Sequence, residues 1–164
     1  MKFTIEKNKH FANFNLFSFR LFIKDQIKFK CTFDENCIYP HINKDTYDLN
    51  KLIGLSDNWS HMDDSVRIGW RCINGKDIEL HLFCHVNGKM DSEYITTVNV
   101  NQEFSGQIFI IDNVYCADIM VNGKTYSRCL SRKSGWWFLR YMLKPYFGGN
   151  NKAPNTMKIE IKLL

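Results

Sequence analysis

The chain has 164 residues, of which 45% are hydrophobic and 15% aromatic, which suits one globular domain spanning residues 1–164. No apolar run approaches the roughly 20 residues that cross a bilayer, and no basic, apolar leader precedes the first polar segment, so we expect a soluble chain that begins near Met1. The net charge of +5 is spread along the chain, which disfavours nucleic acid and membrane partners and leaves an anionic ligand open.

Short alternating segments dominate the first third of the chain. They predict an edge strand at 2–6, a half-buried strand at 27–33 and a buried strand at 51–56. The Phe-rich segment 10–23 shifts its alternation near Ser18, where we expect a bend. A long connection covers 34–50, and the polar loop 57–64 presents Trp59 and His61.

The most regular alternation lies between Ser65 and Val86 and predicts a β-hairpin. A three-residue loop, 74–76, pairs Trp70 with Leu80 and separates the apolar and polar faces, whereas a two-residue loop would pair Trp70 with Glu79. One face is then apolar and turns to the core: Val66, Ile68, Trp70, Cys72, Ile78, Leu80, Leu82, Cys84 and Val86. The opposite face is free for ligand chemistry: Arg67, Gly69, Arg71, Glu79, His81, Phe83 and His85.

Further strands are predicted at 93–100, 107–112, 115–121, 124–130 and 157–164, with a turn at Ser105-Gly106 and a hairpin at Asn122-Gly123. Residues 131–144 contain Trp136-Trp137 and a possible helical turn. About eleven short strands without an amphipathic helix predict an all-β fold, a two-sheet antiparallel sandwich or jelly roll.

The six cysteines are expected to be reduced thiols. Cys31, Cys72 and Cys84 occupy apolar strand positions, where cysteine commonly serves as a small buried hydrophobe. This usage favours a cytoplasmic or virion setting over a secreted one.

The order of the segments resembles a concanavalin-A-like jelly roll, the architecture of laminin-G modules, laminarinases and alginate lyases. Alginate-lyase-type polysaccharide lyases carry an arginine-rich strand, then Gln-Ile-His, then Tyr-Phe-Lys-Ala-Gly. Here the matching segments are 67–71 (RIGWR), 107–109 (QIF) and 146–150 (YFGGN). The resemblance implies lyase chemistry on a uronate, but Gly69, Phe109 and Gly148 replace the acidic residue, the histidine and the lysine of the pattern. His81 or His85 would then have to handle the proton.

A second resemblance is to uncharacterised proteins of bacteriophages and of gut or marine bacteria. They share the Gly-Trp-Arg strand at 69–71 and the Pro-Tyr-Phe-Gly-Gly-Asn ending at 145–150. This resemblance implies a viral origin.

The candidate ligand-binding residues combine the polar hairpin face with aromatic and polar residues of the rim. Guanidinium groups bind carboxylate or phosphate, and aromatic rings stack on sugars. The set is Arg67, Arg71, Glu79, His81, Phe83, His85, Trp59, Trp136, Tyr146 and Asn150. These residues also have structural interpretations. The face can be a solvated sheet surface, or an interface with a protein partner or a second copy of the chain. The segment 145–155 can be a tight turn leading to the last strand, and one of Trp136 and Trp137 can belong to the core.

No residues are assigned to catalysis, to a metal or to a cofactor. His81 and His85 suggest a metal site with Cys84, but on a strand Cys84 points to the other face.

The leading hypothesis is a non-enzymatic module that recognises a carbohydrate or another anionic ligand, or that serves as a virion or host-interaction component. Two alternatives stay open. The first is a diverged polysaccharide lyase, and the second is an intracellular binder of a phosphorylated small molecule such as a nucleotide.

Overall fold

The computed structural model describes residues 1–13, 21–22, 25–40, 44–132 and 140–164. The strands, in chain order, are β1 (Lys2–Ile5), β2 (Leu21–Phe22), β3 (Gln26–Phe33), β4 (Asn50–Ser56), β5 (Ser65–Ile73), β6 (Asp77–Val86), β7 (Lys89–Asn99), β8 (Phe104–Ile111), β9 (Val114–Val121), β10 (Lys124–Ser131), β11 (Arg140–Leu143) and β12 (Met157–Leu163). Two short 3-10 helices, Glu35–Cys37 and Lys44–Tyr47, lie in the connection between β3 and β4. Within these described ranges no helix is long and apolar enough to cross a membrane.

The strands form two antiparallel sheets. Sheet A has the order β1-β12-β3-β8-β9-β10, and sheet B has the order β2-β11-β4-β5-β6-β7. Strands from the two ends of the chain are neighbours, as in the pairing of β1 with β12. The prediction of an all-β sandwich of two antiparallel sheets is confirmed, while the single domain over 1–164 stays a prediction.

The register predicted for the β5–β6 hairpin is confirmed. Trp70 pairs with Leu80 and Arg67 with Phe83, and the loop spans residues 74–76. Asn74 and Gly75 both have positive φ, 51° and 60°, a conformation that these two residue types tolerate best and that matches the twist of the strands.

The apolar faces of the two sheets pack against each other around Trp70. This side chain is fully buried, and its ring lies 5.0 Å from Phe33 of sheet A and 6.2 Å from Phe147, between ring centroids. Cys31, Cys72 and Cys84 are buried in the same core and are free thiols, as predicted. Period-two alternation therefore placed the core correctly on these strands.

Two strand boundaries differ from the prediction. Ser105 and Gly106 lie inside β8 rather than in a turn. A β-carbon on Gly106 would lie 2.6 Å from the Phe29 ring, so this glycine makes room for a core ring and does not bend the chain. The strand expected from 93 begins at Lys89, because the exposed, polar start of this edge strand shows no alternation.

The expectation of six free thiols is wrong for one pair. Cys116 of β9 and Cys129 of β10 are directly opposite each other and form a disulfide, with their Cα atoms 4.1 Å apart. Cross-strand neighbours at this separation are close enough to be bridged.

Two further expectations concern segments with gaps. The bend near Ser18 and Trp136 with its neighbour Trp137 lie outside the described residues. Of the segment 131–144, in which we expected a helical turn, the described part 140–143 is the strand β11.

Candidate functional site

The face of sheet B that points away from the core carries most of the predicted site residues, and we call it the outer face. Its residues form rows across the strands because paired residues share a side of the sheet. Four rows follow from the register: Tyr141, Ser56, Ser65, His85 and Met90; Leu143, Gly54, Arg67, Phe83 and Ser92; Tyr146, Lys51, Gly69, His81 and Tyr94; and Arg71, Glu79 and Thr97.

The predicted hairpin residues share this face, but most of them are not exposed. Arg67, His81, Phe83 and His85 are between 4% and 7% exposed. The expectation of an open polar face is therefore wrong at these four positions. Side chains of β4 and of the segment around Tyr146 cover the hairpin: the Lys51 ammonium, for example, lies 4.6 Å above the centre of the Phe83 ring.

Arg67 is the most unusual residue of the face. Its side chain lies across β4 at Gly54, where a β-carbon would come within 2.6 Å of the Arg67 Cγ atom. Burial lowers the pKa of Arg67 to about 10, because a low-dielectric environment disfavours the charged form. A β-carbon at position 54 would also meet the Val66 carbonyl oxygen and the Arg67 Cα atom, so glycine here allows both the β5 backbone and the start of the Arg67 side chain to approach β4 closely.

Arg67 has no anionic partner among the described residues. All 17 Asp and Glu residues lie in the described segments, and none of them forms an ion pair with this guanidinium. The Nε atom is buried without a hydrogen-bond partner. A buried charge is normally paired, and the Arg67 guanidinium is buried without a carboxylate beside it.

Other nitrogen-bearing side chains surround Arg67. Burial and the Arg67 charge lower the pKa of Lys51 to about 8 and also lower the pKa values of His61 and His85. His85 Nε2 is likewise buried without a partner. We call Arg67, Lys51, His61 and His85 the Arg67 centre. Burial is the main reason that their pKa values are lowered, and the Arg67 charge lowers those of Lys51, His61 and His85 further.

Two tyrosines border the Arg67 centre. The Tyr141 hydroxyl donates to the Trp59 carbonyl oxygen at 3.1 Å and lies 3.4 Å from His61 Nδ1. Tyr146 is held beside Lys51 by two backbone hydrogen bonds of 2.8 and 2.9 Å, and its ring stacks on His10. Both tyrosines lie near enough to Arg67 to act on its charge electrostatically.

Arg71 differs from Arg67 because its charge is neutralised. Its Nε atom donates to Glu79 at 2.7 Å, and Glu79 also lies 3.2 Å from His81 Nε2. Burial alone would raise the pKa of Glu79, but the hydrogen bonds from Arg71 and His81 hold it below its ordinary value. The two arginines of the predicted motif are therefore not equivalent.

A groove of about 620 Å³ opens beside this ion pair. Arg71, Phe83 and Asn150, all predicted site residues, line it together with Lys51 and Tyr47. Of the two predicted rim tryptophans, Trp136 lies outside the described residues, and Trp59 is 79% exposed on the loop at the Ser65 end of the face.

Sequence analysis missed Lys51, Gly54 and Tyr141. The segment 51–56 was predicted as a uniformly buried strand, although Lys51 and Gly54 interrupt its apolar run. A β-bulge between Lys51 and Ile53 puts the two on the same face, and such a bulge leaves no simple alternation to find. A glycine inside a strand, which can mark a close approach, was the available signal.

Comparison with known proteins supports the fold. No protein-family model and no curated protein matches the chain. Among solved structures, an alginate lyase from Klebsiella pneumoniae has 10% identity and a TM-score of 0.58 over 85% of this chain and 59% of the lyase. A functionally unknown protein from Saccharomyces cerevisiae has 12% identity and a TM-score of 0.57 over 99% and 87% of the two chains. A family 7 alginate lyase in complex with substrate has 12% identity and a TM-score of 0.50 over 87% and 61%.

These likenesses are between folds. The chain spans about three fifths of the length of the two alginate lyases, and identities of 10% to 12% carry no residue roles. The protein thus has the two-sheet jelly-roll sandwich that alginate lyases use.

Proposed function

We propose that this protein is a binding module for an acidic glycan, with the negative group of one sugar bound at the Arg67 centre. The observation that carries the proposal is a nine-tenths-buried arginine that no carboxylate of the chain neutralises. Folding keeps this charge despite its cost, which is the pattern of a site maintained for a ligand rather than for stability.

The surroundings fit a carbohydrate. A sugar carboxylate accepts two parallel hydrogen bonds from a guanidinium, and Tyr146, an electrostatic neighbour of Arg67, adds a hydroxyl donor. The groove and the exposed Trp59 and Tyr47 offer hydrogen bonds and ring faces for neighbouring sugar residues. The fold is also that of alginate lyases, a likeness that carries no residue roles.

A direct test measures binding of acidic and neutral oligosaccharides by titration calorimetry. Arg67→Met should weaken binding of an acidic oligosaccharide by about ten- to a hundredfold, since a hydrogen bond to a charged group contributes about 1.5 to 3 kcal/mol. Arg128→Met is the matched control, because Arg128 lies on β10 of sheet A and contacts its neighbour's carbonyl. Equal binding by both variants, or equal binding of a neutral oligosaccharide, would refute the proposal.

The polysaccharide-lyase alternative draws on the Tyr141–His61 contact of 3.4 Å. A tyrosine and a histidine beside a carboxylate-binding arginine are groups that can move a proton at a uronate. Incubation with alginate and other uronates, followed by ultraviolet absorbance, detects the unsaturated product. Product that disappears in both Tyr141→Phe and His61→Gln would favour the lyase over the binding module.

The second alternative, a binder of phosphorylated small molecules, uses the same cationic centre. A thermal-shift panel of nucleotides separates it from glycan binding, because a ligand at about 100 times its dissociation constant stabilises by roughly 2.7 kcal/mol. A role in a virion or in host interaction follows from the bacteriophage resemblance alone and stays a prediction.

A further inference from the structure

The groove beside the Arg67 centre has a different charge balance from the centre itself. Its lining contains two cations, Lys51 and Arg71, and two carboxylates, Asp48 and Asp91. Glu79 holds the Arg71 Nε atom at 2.7 Å, so the arginine charge is already balanced. With Glu79 counted, the groove carries a small excess of negative charge.

The groove carboxylates are placed to accept hydrogen bonds. Asp48 lies against Gly149, where any β-carbon would collide with the Asp48 carboxylate. The Asp48 carboxylate therefore lies beside Gly149 at the wall of the groove. A carboxylate accepts hydrogen bonds and donates none, so it suits sugar hydroxyls and repels a second acidic group.

The Arg71 part of the groove is farther from Arg67 than one sugar ring, while Lys51 belongs to both the Arg67 centre and the groove lining. Arg67 and Arg71 are four residues apart on β5, about 13 Å at the rise of an extended strand. Tyr47, 52% exposed, lines the far region and offers a ring face to a pyranose. One ligand can therefore occupy the anion site and the groove through different sugar residues.

From this contrast we infer that the preferred ligand is a glycan in which one acidic sugar is adjoined by neutral sugars, and not a polymer that is acidic at every residue. The inference rests on the proposed function, since Arg67 takes the acidic residue. The groove takes the neutral, hydroxyl-rich residue beside it.

The test compares three tetrasaccharides by titration calorimetry: one with a single uronic acid among neutral hexoses, an oligoalginate with an acid at every residue, and a neutral one. We expect the single-acid compound to bind at least about tenfold more tightly than the oligoalginate, because placing like charges together is costly at an interface. The neutral compound should bind more weakly than the single-acid compound.

A variant reports on the groove alone. The double variant Asp48→Asn/Asp91→Asn should bind the oligoalginate more tightly than the unsubstituted protein does. The ratio between the dissociation constants of the two acidic ligands should therefore become smaller. The control Asp112→Asn/Glu160→Gln makes the same change in net charge on sheet A and should leave the difference unchanged. Melting temperatures confirm that each variant is folded.

The outcomes separate the two claims. If the oligoalginate binds as tightly as the single-acid compound or more tightly, the specificity inference is wrong while the anion site stands. If neither acidic compound binds better than the neutral one, the proposed function itself is wrong.

Discussion

At the scale of single residues, the outer face is organised by one pair, Arg67 and Gly54. The glycine leaves room on β4 for the Arg67 Cγ atom, and burial lowers the pKa of the arginine to about 10. The positive charge of Arg67 is therefore held beneath neighbouring side chains. Stability alone would favour an apolar side chain here, because an unpaired buried charge is costly.

Replacing this charge should therefore not harm folding. Arg67→Met is expected to have a free energy of unfolding equal to, or up to about 3 kcal/mol above, that of the unsubstituted protein, because the desolvation cost disappears. Urea denaturation measures it. A loss of more than about 2 kcal/mol would show that Arg67 is a structural residue and would contradict the ligand site.

Lys51 makes anion binding depend on pH. Its pKa of about 8 means that the ammonium loses its proton as pH rises through that value, so affinity for an acidic glycan should fall above it. Lys51→Met should flatten this part of the profile, and Lys51→Arg should keep binding at high pH. Calorimetric dissociation constants measured below and above pH 8 test this prediction. An affinity of the unsubstituted protein that does not change with pH would contradict a role of Lys51 in anion binding.

The lowered pKa of Lys51 affects the free energy of unfolding in the opposite direction. The folded-state pKa of Lys51 is below its ordinary value of 10.5, so the unfolded chain binds more protons between these values. The contribution of Lys51 to the free energy of unfolding is therefore present above pH 10.5 and is lost as pH falls through 8. Ligand affinity and intrinsic stability should move in opposite directions over this range.

At the scale of elements, the β5–β6 hairpin shows what alternation can predict. Its register was predictable because only a three-residue loop keeps apolar residues on one face. Coverage of the other face was not, since Tyr146 and Lys51 reach it through contacts between segments far apart in sequence. The sequence therefore predicts which hairpin residues lie on the outer face, but not how much of each side chain is exposed to solvent.

The core position of Trp70 in this hairpin gives a stability prediction. Trp70→Ala should lower the free energy of unfolding by roughly 3 to 5 kcal/mol, because it leaves a cavity among aromatic rings. Chemical denaturation with fluorescence of the remaining tryptophans measures it. A loss below about 1 kcal/mol would contradict the packing around Trp70.

The β9–β10 hairpin carries a pattern that sequence analysis did not use. Cys116 and Cys129 each stand six residues from their end of the Asn122-Gly123 loop, so a two-residue hairpin must pair them. The predicted hairpin already placed Cys116 opposite Cys129. Sequence analysis extended the buried-thiol pattern of Cys31, Cys72 and Cys84 to all six cysteines and so overlooked this pair, and a cytoplasmic setting stays a prediction.

A thiol count tests the disulfide. Protein denatured without reductant should show the four free thiols of Cys31, Cys37, Cys72 and Cys84, and reduction should add those of Cys116 and Cys129. Reaction with a chromogenic thiol reagent gives both values. Six thiols before reduction of protein kept under oxidising conditions would contradict the pairing.

At the scale of the whole molecule, the two sheets are also joined by a buried polar network that sequence did not reveal. Asp57, fully buried after β4, accepts hydrogen bonds from Tyr115 of sheet A at 2.9 Å and from Arg140 of sheet B at 2.8 Å. Arg132, beyond β10, binds the same carboxylate. Sequence analysis placed Asp57 in a polar loop because its partners are 58 to 83 residues away.

Removing the Asp57 charge should therefore loosen the sandwich as a whole. Asp57→Asn leaves two largely buried arginines without their shared carboxylate, and breaking a buried ion pair from one side costs about 3 to 5 kcal/mol. Asp25→Asn is the matched control: Asp25 also binds Arg140, at 2.6 Å, but its side chain is 62% exposed, so its loss should cost about 1 kcal/mol or less. Urea denaturation followed by circular dichroism should show one cooperative transition at a lower midpoint for Asp57→Asn. Equal midpoints for the two variants would mean that Asp57 adds nothing to the joining of the sheets beyond a surface ion pair.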